Sequence, residues 1–175
     1  RQAHYLELSN NRVIGNQGFY GGGIRVGHPE AVLETDFGLT YDHSRNDHLR
    51  IHHNEVSGNG SLGGVGGGLS LYTGADYYEV TDNFICGNFT VGNGGGIGHQ
   101  GLSRNGLIAR NTIAFNQSFN QGTGVSGGGI YIGGATPLGT LTPGSGSVRI
   151  VDNVIQGNLA GAGDGGGIRA AFVNG

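Results

Sequence analysis

The side chains best suited to chemistry are concentrated in an insertion at about residues 27–48 and just after it. This insertion contains five of the twelve acidic residues and three of the seven histidines of the chain. Carboxylate oxygens and imidazole nitrogens are ligands for divalent cations, and an arginine beside them suits an anionic substrate. The candidate binding residues are Asp42, His43, Asp47, His48, Arg50 and His52. Their spacing matches no strong metal motif, so no cofactor is predicted; a divalent cation such as calcium and a solvated polar loop are the alternatives.

Composition excludes several classes of protein. Glycine makes up 40 of the 175 residues, the net charge is -3, and all nine basic side chains are arginine. The chain therefore has no basic field for nucleic acid, and lysine-dependent Schiff-base chemistry is excluded. No apolar run approaches the roughly 18 residues of a membrane-spanning helix, and the single cysteine, Cys86, cannot form an internal disulfide.

The glycines belong to an internal repeat of five copies, which must position the candidate residues. Each copy has a short apolar stretch, an Asn, a second Asn five residues later, a variable loop, and a Gly-Gly-Gly triplet followed by Ile or Leu. The first Asn of each copy is Asn11, Asn54, Asn83, Asn111 and Asn153. The second is Asn16, Asn59, Asn88, Asn116 and Asn158. The triplets are residues 21–23, 66–68, 94–96, 127–129 and 165–167. A core repeat with insertions at about 27–48 and 133–147 explains the unequal spacing.

Apolar residues alternate within each copy, as in Leu6 and Leu8 or Ile130 and Ile132, which is the period of a β-strand. Three short strands per copy, joined by turns that contain Gly and Asn, form one coil of a parallel β-helix. The predicted fold is an all-β solenoid of about five coils over residues 1–175. Asn tolerates left-handed backbone and can hydrogen-bond along a stack of amides, so the two Asn series are predicted to form structural ladders. The triplets permit positive φ and close backbone approach.

The repeat resembles that of a known group of proteins. The steps Ile85-Cys86-Gly87-Asn88 and Ile113-Ala114-Phe115-Asn116, with the Gly-Gly-Gly-Ile step, are similar to the FxxN and GGA(I/L) repeats of polymorphic outer-membrane proteins. They are also similar to repeats of the wider pectate-lyase-like superfamily. The resemblance covers nearly the whole chain, although Val or Ile replaces Phe and Gly replaces Ala. It implies a single-stranded, right-handed parallel β-helix; the spacing itself does not specify handedness.

Charged residues recur at equivalent positions of the copies. If the coils are in register, Glu7, Arg50 and Glu79 form one column of alternating charge. His53, Asp82, Arg110 and Asp152 form another. Opposite charges on adjacent strands stabilise a sheet and oppose register slip, so lateral pairing is the expected role. Five coils alone would leave two open ends, so we expect a piece of a longer helix, with further coils or other protein chains at its ends.

Two functions are consistent with this pattern. The first is a non-catalytic structural or adhesive scaffold of a secreted or cell-surface protein, in a larger assembly or in contact with a polysaccharide. Tyr72, Tyr77, Tyr78 and Tyr131, with Phe19 and Tyr20, are predicted to be exposed aromatics that could stack on sugars. The alternative is a polysaccharide lyase or glycoside hydrolase with its site near residues 27–53. Its expected aspartate cluster is missing, and the candidates Asp82, Asp152 and Arg110 are predicted to pair with one another, so we predict no catalytic residues.

Overall fold

The computed structural model describes residues 3–27, 32–35, 38–41, 44–120, 122–134 and 144–173. Among them, 19 short strands stack into four sheets, and every pairing within these sheets is parallel. The chain passes through each sheet once per repeat and returns one strand further along. This is the predicted all-β parallel β-helix. None of the described residues forms a helix with the length and hydropathy that a membrane crossing requires.

The four sheets are named A to D in the order in which the chain meets them. Sheet A contains β1 (Glu7–Ser9), β7 (Arg50–His52), β11 (Glu79–Thr81), β15 (Leu107–Ala109) and β19 (Arg149–Val151). Sheet B contains β2 (Arg12–Ile14), β8 (Glu55–Ser57), β12 (Phe84–Cys86), β16 (Thr112–Ala114) and β20 (Val154–Gln156). Sheet C contains β3 (Gln17–Gly18), β9 (Gly60–Ser61), β13 (Phe89–Thr90) and β17 (Gln117–Ser118). Sheet D contains β4 (Ile24–Val26), β10 (Leu69–Tyr72), β14 (Ile97–Gln100), β18 (Ile130–Gly133) and β21 (Ile168–Ala171).

The core is a set of aliphatic columns inside the coil. In sheet B, Val13, Val56, Ile85, Ile113 and Ile155 align in register. Equivalent inward positions of sheets A and D hold Ile, Leu and Val, except for His99 and Ala170 in sheet D, and the middle coils bury these side chains almost completely. Because alternate side chains of a strand face opposite sides, the intervening residues form the outer surface.

The prediction of three strands per coil is wrong, because each of the first four coils also contains a two-residue strand of sheet C. The sequence signal for this sheet is weak, since its inward positions carry hydroxyl groups instead of aliphatic chains. Ser61 Oγ donates a hydrogen bond to the carbonyl of Phe19 at 3.0 Å, and Thr90 Oγ1 donates one to the carbonyl of Gly64 at 3.2 Å. An apolar alternation therefore does not appear in these strands.

The glycine triplets serve two different needs. The first glycine of each triplet has a positive φ, between 64° and 80°, whereas the second and third do not. The third glycine faces the second asparagine ladder: a Cβ on Gly68 would lie 2.9 Å from Asn88 Nδ2 and 2.8 Å from the carbonyl oxygen of Gly96. The triplet thus turns the chain and then lets it pass close to the next coil.

The two asparagine series form hydrogen-bonded ladders along the axis. In the second ladder, Asn88 Oδ1 accepts from the backbone N–H of Asn59 at 2.9 Å and from its Nδ2 at 3.0 Å. Asn88 Nδ2 donates to the carbonyl of Val56 and to Asn116 Oδ1, each at 2.9 Å. The first ladder repeats this pattern from Asn11 to Asn153. Each amide therefore satisfies backbone groups that a tight turn leaves without a sheet partner.

The first insertion contains regular structure that the sequence pattern does not predict. Strands β5 (Val32–Thr35) and β6 (Gly38–Tyr41) form an antiparallel hairpin, with Val32 opposite Tyr41. The candidate residues Asp42 and His43 lie outside the described residues, as does most of the second insertion.

Candidate functional site

The candidate site is the outer face of sheet A with the two corners that flank it. Both corners are built from residues with left-handed backbone. The first corner, two residues before each strand, consists of Tyr5, His48, Tyr77, Asn105 and Ser147. The second, directly after each strand, consists of Asn10, His53, Asp82, Arg110 and Asp152. These residues have φ between 53° and 62°. The corners hold side chains of successive coils in vertical columns at a cost in backbone energy.

The outer face of sheet A carries the predicted column of alternating charge. Glu7 and Arg50 are register partners, as are Arg50 and Glu79. Arg50 Nη1 lies 3.6 Å from Glu7 Oε2, and its Nε lies 3.7 Å from Glu79 Oε2. All three side chains are about half exposed, so these pairs add little to stability. They do neutralise the charge of Arg50, one of the candidate binding residues.

The second corner holds the best-formed ion pair of this face. Arg110 Nε and Nη2 donate to the two oxygens of Asp82 at 2.9 and 2.8 Å. This bidentate hydrogen bonding lowers the pKa of Asp82 and raises the pKa of Arg110. The pairing predicted for this column is thus present between its two middle members.

A carboxylate and two imidazoles form a chain of contacts between these columns. His52 Nε2 lies 3.0 Å from Glu7 Oε1, and His52 Nδ1 lies 2.9 Å from His53 Nδ1. The two rings are nearly perpendicular, with an interplanar angle of 85°. An ionised carboxylate only accepts hydrogen bonds, so Nε2 of a neutral His52 carries the proton. His52 Nδ1 is then a lone-pair nitrogen directed at His53.

His48 lies in an aromatic stack at the first corner. Its ring centroid lies 4.8 Å from that of Tyr5 and 4.8 Å from that of Tyr77, with interplanar angles of 25° and 14°. His48 Nδ1 is buried, has no hydrogen-bond partner among the described residues, and lies 3.8 Å from Asp47 Oδ2. Both faces of this imidazole are therefore covered by rings, although 41% of the side chain stays exposed.

Asp47 is engaged at one oxygen by a residue from the preceding coil. Its Oδ1 accepts a hydrogen bond from His4 Nδ1, and this bond lowers the pKa of Asp47. Asp47, His48 and His52, which the sequence groups as candidates, thus contact three different sets of neighbours. Within the described part of the chain, no group of three or more His, Cys, Asp or Glu side chains could hold a metal ion.

Two of the aromatic residues predicted to be exposed are buried. Tyr72 is 1% exposed, with its hydroxyl 3.4 Å from the backbone nitrogen of Val65, and Tyr78 is 0% exposed within the core, whereas Tyr77 is 49% exposed. The hydroxyl of Tyr78 lies 3.0 Å from Nδ1 of His99, whose Nε2 donates to the carbonyl of Gly101 at 2.9 Å. Burial lowers the pKa of His99 to about 4 and raises the pKa of Tyr78. This pair is a neutral hydrogen-bonded element of the core.

The structure brings Glu7, Arg50, His52 and His53 together and places Asp47 and His48 around the aromatic corner. Sequence reasoning assigned neither Tyr5 nor His53 to a binding site. The signal for Tyr5 was its register, two residues before an outer-face position in the same way as His48 and Tyr77. Comparisons of the chain with protein-family models, with curated proteins and with solved structures found no match.

Proposed function

We propose that this protein is a non-catalytic β-helix scaffold of a secreted or cell-surface protein, and that its two ends receive further coils. The proposal extends the sequence resemblance to β-helix surface proteins and rests on one observation, the complementarity of the first and last described coils. The hydrogen bonds of both ladders run in one direction, from the N–H of each Asn to Oδ1 of the next coil. The stack therefore has a direction: within the described part of the chain, its first coil presents unused acceptors, and its last coil presents unused donors.

The two ends present opposite halves of the same hydrogen bonds. Among the described residues, Asn11 and Asn16 Oδ1 at the first coil accept from no ladder neighbour. At the fifth coil, the backbone N–H groups of Asn153 and Asn158 donate to no ladder neighbour among the described residues. A first coil placed on a fifth coil would join these groups as the inner coils do. These end groups are exposed or half-buried in the isolated chain, so each new hydrogen bond would contribute about 0.5–1.5 kcal/mol.

The side-chain columns support the same head-to-tail arrangement. Ile168 is 43% exposed at the last coil, although its column partner Ile97 is fully buried. In a continued stack Ile168 would pack on Ile24, and Arg149 would meet Glu7. One column opposes the arrangement, because Arg25 would meet Arg169 and like charges repel. This repulsion is reduced by Asp164, which pairs with Arg169 at 3.1 Å. Burial of the apolar ends is the larger effect, because each exposed aliphatic side chain gains about 1.5–3 kcal/mol when fully buried.

End-directed association is tested by measuring the mass of the chain in solution over a wide range of concentration. The test variant is Ile168→Lys, which places a charge in the end column. The matched control is Phe84→Lys, because Phe84 is similarly exposed, at 46%, but lies on the outer face of sheet B. We expect the wild type and Phe84→Lys to self-associate and Ile168→Lys to stay monomeric. A wild type that is monomeric at every concentration would overturn the role of the ends.

The non-catalytic part of the proposal has a separate test. The chain is incubated with neutral and uronate polysaccharides, with and without calcium, and reducing ends and unsaturated products are measured. We expect no products, because Arg50 and Arg110 on this face are each paired with a neighbouring carboxylate. Depolymerisation that is lost in Arg50→Ala would instead establish the lyase or hydrolase hypothesis for this face.

Glycan contact is proposed for the aromatic first corner. Tyr5 is 75% exposed and Tyr77 is 49% exposed, and aromatic rings of this kind stack on sugar faces. The measurement is binding of the chain to an array of glycans, with Tyr77→Ala as the variant and Phe115→Ala, an exposed aromatic elsewhere, as the control. Binding that both variants retain would remove this corner from the proposal.

A further inference from the structure

We propose that His52 and His53 form a binding site for a divalent transition-metal ion of the Cu²⁺ or Ni²⁺ class. The site is the gap beside the two Nδ1 atoms, which lie 2.9 Å apart on the outer surface of the second coil in a hydrogen bond that the ion would replace. It goes beyond the scaffold role, since a scaffold needs only the pairing of charges along its columns.

The separation of the two nitrogens fits one coordination geometry. With metal–nitrogen bonds of about 2.0–2.1 Å, two ligands at a right angle lie about 2.9 Å apart, and two at a tetrahedral angle about 3.3 Å apart. The His52–His53 distance therefore matches adjacent positions of a square-planar or octahedral ion. Cu²⁺ and Ni²⁺ adopt such tetragonal geometry with nitrogen and oxygen ligands. Water would occupy the remaining positions, because the described chain adds no third ligand here.

Glu7 prepares His52 to act as a ligand. Its Oε1 accepts from His52 Nε2 at 3.0 Å, which directs the lone pair of Nδ1 toward the gap. A carboxylate on the distal nitrogen of a ligating histidine is the usual arrangement at metal sites, where it fixes the tautomer and raises ligand basicity. Arg50 in turn lies 3.6 Å from the other oxygen of Glu7 and holds the carboxylate in place. Glu7 is therefore a positioning residue.

His53 can complete the pair by exchanging its hydrogen bond to His52 for the ion. His53 is exposed, so its proton can move from Nδ1 to Nε2, and both Nδ1 atoms then carry lone pairs. The left-handed backbone at His53, with a φ of 53°, brings the ring back toward His52. Asp82, the next residue of this column, is held by Arg110 and is not counted as a ligand.

The test is calorimetric titration of the chain, without a polyhistidine tag, with Cu²⁺ and Ni²⁺. We expect one ion per chain in the wild type and at least about tenfold weaker binding in His52→Gln and in His53→Gln. Glu7→Ala should weaken binding about tenfold, as loss of an orienting carboxylate does elsewhere. The control is His4→Gln, because His4 is another exposed histidine but contacts Asp47 instead. It should bind as the wild type does.

Electron paramagnetic resonance of the Cu²⁺ complex provides a readout that needs no variant. We expect hyperfine coupling of similar strength from two ligand nitrogens, and one of the two couplings should disappear in His53→Gln. A spectrum with a single nitrogen would overturn the proposal. Unchanged binding in both His52→Gln and His53→Gln would also overturn it, and so would loss of binding in His4→Gln.

Discussion

Replacing Asn88 by alanine measures how much one rung of a ladder contributes to stability. Asn88 is fully buried in the middle coil, and its amide serves two backbone groups: it accepts from the N–H of Asn59 and donates to the carbonyl of Val56. Alanine removes both partners. Each buried group left unpaired costs about 1–3 kcal/mol, so Asn88→Ala should lower the free energy of unfolding by about 2–6 kcal/mol. For a chain of this length, a loss of about 4 kcal/mol lowers Tm by about 8–16 °C.

The matched control is Asn16→Ala in the first coil of the same ladder. Asn16 is exposed, and among the described residues its side chain donates to Asn59 Oδ1 and, at 3.3 Å, to the carbonyl of Ile14. Its loss should cost about 1 kcal/mol or less. Urea unfolding followed by circular dichroism and tyrosine fluorescence measures both variants. Equal costs for Asn88→Ala and Asn16→Ala would refute the reasoning, because burial of the orphaned backbone groups would then not matter.

Three further predictions concern the corners and the core. A Cβ at Gly67 would meet the carbonyl oxygens of Phe89 and Gly95, so Gly67→Ala should cost about 3 kcal/mol or more. Gly87→Ala, with φ of 64° but open space, should cost about 1–2 kcal/mol in the same urea experiment, and the reverse order would contradict the close-approach argument. The buried His99 has its pKa lowered from 6.5 to about 4, so the unfolded chain binds its proton first as pH falls. The free energy of unfolding should show no loss from His99 above pH 6.5 and should decrease by on the order of 3 kcal/mol toward pH 4. His99→Gln should lose this pH dependence, and a dependence that persists in the variant would assign it to other groups. Phe115 has φ of 55° where other copies have glycine, so Phe115→Gly should be at least as stable as the wild type, whereas Phe115→Ala, which keeps the backbone cost, should be less stable. Thermal melts that rank the wild type above Phe115→Gly would show that packing of the ring on Gly157 outweighs the backbone cost.

The sequence alone determines the coil and its register. Two Asn five residues apart in every copy, with aliphatic residues at period two, align the copies in only one way, because a shift by one residue would turn every core side chain outward. The partners Glu7, Arg50 and Glu79 follow directly from that alignment. The positive φ of the first triplet glycines follows as well, because a corner that recurs in every coil needs the same backbone conformation each time.

The tertiary structure decides which of the equivalent side chains meet and how deeply they are buried. Tyr78 is buried and reaches His99 across the same coil, and His52 meets Glu7 although 45 residues separate them. The hairpin at Val32–Thr35 and Gly38–Tyr41 and the short strands of sheet C also escape the repeat pattern. Residue type and period specify only the column and the side of the strand. Contact across coils depends on side-chain rotamers and on neighbours that come together only when the chain has closed each turn, so the candidate site became visible only in the folded structure.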